Sequence, residues 1–216
     1  MLPFTRDQFI TVFAEYNAVV WPAQVVAYVL GMVMVAALLR PSPAGHRMVS
    51  LGLAVMWTWT GVAYHGLFFS RINPAALGFA ALFVIQGALL AYLGVVRNRL
   101  VFGPSIGPAS WLGWSLVIYA AVLYPAVGVL TGHGYPQMPM FGITPCPVTL
   151  FTFSMLLLTT APVPRALLPI PLAWSLLGGS AAFLLGIAQD WPLLFSGISI
   201  VLLVIRDRQR LNLARP

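Results

Sequence analysis

Apolar runs long enough to cross a membrane recur along this chain, and the short connections between them hold most of its charge. About 20 apolar residues in a helix span roughly 30 Å of hydrocarbon. A helix satisfies its own backbone groups, which lipid requires of anything that crosses it. Composition points the same way. Hydrophobic residues make up 60% of the chain and charged residues 7%, against about 25% charged in an ordinary soluble domain. A larger soluble core does not explain that deficit, because a water-facing surface still needs polar cover.

The pattern predicts an all-α fold, a seven-transmembrane-helix bundle forming a single integral-membrane domain over residues 1–216. The expected spans lie near Ala18–Leu39, Met48–Leu67, Ala75–Val96, Ser110–Leu130, Pro147–Ala161, Leu167–Ala188 and Trp191–Ile205. Before them, residues 5–16 read as a short interfacial helix. Thr5 and Gln8 have capping-box spacing, and Phe9, Val12, Phe13 and Tyr16 recur at helical intervals. Pro22 is expected in the first turn of the first span, where its missing N–H costs little. The fifth span rises only about 22 Å. Either its neighbours shelter it, or the Pro- and Gly-rich loop before it dips inward.

Every basic residue is arginine, and the arginines are unevenly placed. In the seven-span reading Arg40, Arg47, Arg97, Arg99, Arg165, Arg206, Arg208, Arg210 and Arg215 fall on one side, and Arg6 and Arg71 on the other. Arginine-rich short loops stay in the cytoplasm. The N-terminus is therefore expected outside and the C-terminus inside. The acids Asp7, Glu15 and Asp190 fall outside, and Asp207 inside. Arginines at span ends are not a patch interleaved with exposed aromatics, so nucleic acid is not an expected partner. Cys146 is the single cysteine, which excludes a disulfide within the chain. Asp7, Glu15 and Asn17 interrupt the first apolar run, so no cleavable signal peptide is expected.

The spans contain almost nothing ionisable, which argues against a pump or a carboxylate-driven proton carrier. The absence of lysine excludes a retinal Schiff base. Polar groups gather instead at the outer ends. Glu15, Tyr16, Asn17, Tyr64, His65, Asn73 and Asp190 are the candidate ligand-binding residues: carboxylates supply negative charge and His65 a switchable donor. His133, Met138, Met140 and Cys146 fall within fourteen positions of one loop. Thioether and thiol donors suit a soft metal such as copper. Gly178, Ala182 and Gly186 form a small-residue ridge, suited to packing inside the bundle or to a homo-oligomer seam.

The segments FAEYNAVVWPAQ, WTGVAYHGLFF, RINPAA, FGITPCPVTLFTF and WSLLGGSAAFLLGIAQDW resemble those of the bacterial integral-membrane family of unknown function DUF6064. The resemblance runs over nearly the whole chain, and TPCPVT and AQDW are its most specific stretches. It implies a multi-pass protein of the bacterial inner membrane and carries no activity with it. The leading expectation is a periplasm-facing pocket for a small molecule or soft metal ion, with a transport or permeation role. A membrane enzyme using an outer-face metal or thiol site is the rival. A structural subunit of a larger membrane complex is the third reading.

Overall fold

The computed structural model describes residues 3–213, and all side chains among them except those at 200, 208 and 210–213. Arg215 lies outside the described residues, as do the side chains of Arg208 and Arg210. The described residues are helical apart from connections and one isolated β-bridge, Phe102 to Thr159. In chain order the helices are α1 (Arg6–Val19), α2 (Ala23–Leu39), α3 (Pro43–Trp59), α4 (Ala76–Leu90), α5 (Pro108–Ile118), α6 (Tyr124–Leu130), α7 (Pro145–Leu157), α8 (Pro169–Leu185), α9 (Trp191–Ser196) and α10 (Ile198–Leu213). Three widened π-helical stretches continue or join them: Thr60–Phe68 after α3, Ala91–Val96 after α4, and Tyr119–Leu123 between α5 and α6. Such turns are rare and gather at functional sites.

Four helical segments are long and apolar enough to cross a membrane: Ala76–Val96, Pro108–Leu130, Arg165–Leu185 and Ala188–Asp207. They mark a membrane protein. The pair α1 and α2, bent by 83° around Val20–Pro22, would make a fifth. The expected seven spans are therefore corrected to four, or five with the bent pair. Taken alone, α2 rises only about 26 Å before Arg40 ends it. Its start is set by Pro22, which stands just before the first helical residue rather than inside the first turn. The opening turns of α3 carry His46, Arg47 and Ser50, which lower its apolar character.

The third departure is α7. It has 13 residues, a rise of about 20 Å, and every one of them is buried. It is the central post of the bundle, with α3, α5, α8, α9 and α10 packed around it. Of the two explanations for a short fifth span, shelter by neighbours is the one observed. The Thr149, Thr152 and Ser154 hydroxyls bond back to carbonyls of the same helix, so a post with several polar side chains leaves those groups satisfied. Around it, Val25, Met32, Ile85, Val122, Leu184 and Phe195 remain exposed, as suits surfaces that face lipid.

Side-chain bonds define two ends. At one, Arg47 donates to Asn98 (2.7 Å), and Arg206 reaches the last carbonyls of α7. Arg40, Arg97, Arg99 and Arg165 flank these points in sequence. At the other end, Arg6 meets His133 (2.7 Å) and Arg71 pairs with Glu15 (3.8 Å).

The capping box at Thr5 and Gln8 forms as its spacing predicts. Helix α1 is more than an interfacial helix, because Val12, Phe13, Tyr16 and Asn17 turn inward and are buried. Asn17 donates to the carbonyls of Pro136 and Met138 (2.7 and 2.8 Å), and the Tyr16 hydroxyl donates to that of Ile143 (2.8 Å). These bonds hold the 131–144 loop against the bundle and satisfy backbone that no helix satisfies. Asn17→Ala should strand two carbonyls and cost about 2 kcal/mol. The expected readout is faster proteolysis within residues 131–144 and a lower unfolding midpoint in detergent. An unchanged cleavage rate would show that the clamp is not needed.

Candidate functional site

Where α1 lies over the π-helical stretch Thr60–Phe68, the two do not close completely on α8. A largely enclosed cavity of about 160 Å³ remains. Its construction follows from three local features. Phe9 and Phe13 lie one helical turn apart on the inward side of α1, with Phe4 just before the cap. Across from them stand Tyr64 on the π-helical stretch and Phe69 and Asn73 just after it. The far wall is α8, where Trp174, Gly178 and Ala182 recur at four-residue steps and so share one side of the helix. A side chain on Gly178 would meet the Trp174 indole, so glycine leaves room for that ring.

The floor is polar. Asp190, fully buried, precedes α9 and meets the start of α7, where Cys146 sits in the first turn. One carboxyl oxygen of Asp190, Oδ1, accepts a bond from the Tyr124 hydroxyl. Its Oδ2 is buried with no partner among the described residues other than the Cys146 thiol. The Cys146 thiol faces both the Asp190 carboxyl and the Trp174 indole. The Tyr64 hydroxyl is buried without a partner among the described residues, and Trp174 Nε1 has only the thiol beside it. Buried polar groups are nearly always bonded in native proteins, and leaving one bare costs about 1–3 kcal/mol. A bare phenol, with one weak thiol donor shared between the carboxyl and the indole, describes a surface that lacks a full complement.

Of the residues expected to bind a ligand, Tyr64, Asn73 and Asp190 line this cavity, and so does Cys146 from the expected metal set. His65 does not line it. It stands behind the wall, fully buried, with its ring 4.9 Å from Trp174 and 4.6 Å from Phe83. Neither of its ring nitrogens has a partner among the described residues. Tyr16 and Asn17 are spent on the loop clamp. Glu15 points outward, its side chain 56% exposed beside Arg71. Of the two expected sets, the cavity therefore brings together Tyr64, Asn73 and Asp190 from one and Cys146 from the other.

The soft-donor loop is divided among different surroundings. His133 Nε2 meets the Arg6 guanidinium, Met138 is buried against Gly128, and Met140 packs against the cluster around α1. Cys146 alone of the four lines the cavity. Among the described residues, no three His, Cys, Asp or Glu gather where they could hold a metal ion. On the small-residue ridge, Gly178 and Ala182 are buried inside the chain, and Gly186 ends α8 in the left-handed conformation at φ 69°. Glycine reaches that conformation without strain.

Sequence reasoning missed the aromatic walls. Phe9 and Phe13 were legible as one side of a helix, but lipid and a cavity select the same side chains, and Phe4 before the cap carried no signal. Trp174 and Tyr124 carried no signal beyond being aromatic residues within apolar runs.

Residues 6–215 match the family of unknown function DUF6064, and the chain belongs to that family. No curated protein and no solved structure matches it.

Proposed function

We propose that this protein is a multi-pass protein of the bacterial inner membrane that takes a small molecule into the cavity between α1 and α8, in a transport or permeation role. The buried Asp190 carboxyl, met only by a phenol and a weak thiol donor, carries the reading. A desolvated carboxyl oxygen is costly unless something meets it, and intramembrane acids usually serve function. The uneven arginines support an orientation in which the Arg6 and Arg71 end faces the periplasm. The cavity would then load from outside, beneath α1. A soft metal ion has less support than an organic solute, because Cys146 has no second soft donor beside it on the cavity lining.

The test is solute accumulation in whole cells, profiled by mass spectrometry. Wild type is compared with Asp190→Ala and with Ala182→Phe, which fills the cavity, at matched membrane expression. The expected result is at least one solute whose accumulation changes several-fold with wild type and with neither variant. Three indistinguishable profiles would end the transport reading.

A further inference from the structure

We infer that the cavity's ligand is a small organic ammonium ion. This rests on the reading that the cavity is a ligand site, and it adds the chemical class. Two independent features of the walls point to it. The first is the rings. Phe4 and Phe69 meet edge to face at 5.3 Å, Phe9 and Phe13 at 4.9 Å, and Phe79 and Trp174 at 5.4 Å. Phe4 with Phe9, Phe13 with Tyr64, and Tyr64 with Phe69 stack instead, so rings in more than one orientation wall the cavity. The faces of such rings are electronegative, and a cation within about 6 Å of a ring centre is attracted to them. Quaternary ammonium ions are commonly held this way.

The second feature is the carboxyl group at the floor. Among the described residues Asp190 is the only acid lining the cavity, and its neighbours there are a phenol, a thiol and an indole. No cation lines the cavity among the described residues. Arg71 is engaged with Glu15 and lies over the Phe68 ring, and Arg6 is engaged with His133. An anion would meet a carboxylate and the negative faces of the rings. A metal ion would want three or four donors converging on one point, which the described residues do not gather. A neutral apolar solute would leave the carboxyl with only the phenol and the thiol. An alkylammonium ion meets the rings with its carbon shell and the carboxylate with its charge.

Size limits the choice further. An engineered apolar cavity of about 150 Å³ holds benzene, so this one admits a solute of similar bulk. Choline and tetramethylammonium are of that order, and both are usable probes.

The experiment uses the purified full-length protein in nanodiscs at low salt. Choline, tetramethylammonium and dimethylbutanol, the uncharged carbon isostere of choline, are titrated calorimetrically. In parallel, alkylation of Cys146, the single cysteine, by N-ethylmaleimide reports whether each probe occupies the cavity. Choline is expected to bind at least about tenfold more tightly than its isostere and to slow alkylation. Asp190→Asn keeps an acceptor for Tyr124 and is expected to abolish that preference. Phe9→Leu keeps the apolar bulk and is expected to weaken choline several-fold while changing the isostere by less than about twofold. It also stands in should Asp190→Asn fail to fold. Equal or tighter binding of the isostere would overturn the ammonium inference and leave the cavity as a ligand site. If no probe binds or slows alkylation, both the inference and the reading beneath it fall.

Discussion

Trp57→Ala is expected to lower the stability of the bundle by about 3–4 kcal/mol, roughly a 300-fold shift in the unfolding equilibrium. Trp57 is fully buried where α3 meets α7. Its ring packs 4.3 Å from that of Phe83, and its Nε1 donates to the Thr152 hydroxyl at 2.7 Å. Alanine opens a cavity on the central post, and neighbours on three helices cannot collapse into it together. Thr152 keeps its own bond to the Val148 carbonyl, so the loss is mostly packing. Trp57→Phe, which keeps a ring against Phe83, is expected to recover more than half of the loss. Equilibrium unfolding in mixed detergent micelles, followed by far-UV circular dichroism, measures both. A Trp57→Ala midpoint within error of wild type would show that α3 and α7 do not unfold as one unit.

Arg206→Ala is the second large effect, about 3 kcal/mol. Its guanidinium is only 13% exposed. It donates to the Leu157 and Thr159 carbonyls at 2.8 and 3.2 Å and to the Thr159 hydroxyl at 3.0 Å. It also pairs with Asp207 at 2.8 Å. Those carbonyls end α7, where the helix dipole is negative and no intrahelical donor remains. Removing the arginine takes a donor from each of them and leaves a carboxylate only 14% exposed without that countercharge. Asp207 keeps one bond, from the Val163 N–H at 2.8 Å. The double variant Arg206→Ala with Asp207→Asn is therefore expected to be more stable than Arg206→Ala alone. The same unfolding assay reads this, with amide exchange at the end of α7 as a local probe. If the double variant is the less stable of the two, the charge argument fails and Arg206 acts through packing alone. In the sequence Arg206 is one of many orienting charges. Its role as a cap on the central helix emerges only when α10 is brought beside α7.

How much was legible can be judged from particular residues. The capping box at Thr5 and Gln8 was readable because a cap is local, decided within four positions. The helices near 76–96, 108–130, 165–185 and 188–207 were readable because lipid selects continuous apolar length. The post at 145–157 reads the same way in sequence, since a helix buried in protein and one bathed in lipid are both apolar all round. Length was the only hint, and it left two explanations open. In the site, Asp190 and Cys146 stood out because an acid and a thiol are rare in this chain. Glu15 stood out equally and faces solvent. Rarity marks a residue as notable without saying which way it points.

The amino-acid order alone determined that the chain is helical and belongs in a membrane, and it placed the charges that orient such proteins. Those properties follow from composition and local pattern, because hydrophobic length and backbone bonding within a helix need no distant partner. The tertiary structure decided which helix is the post and which way the Phe9 side of α1 faces. It also decided that Asp190 ends buried beneath a cluster of aromatic rings. Each of these depends on segments far apart in the chain, and packing between such segments is specified by shape, which hydrophobicity along the sequence does not encode.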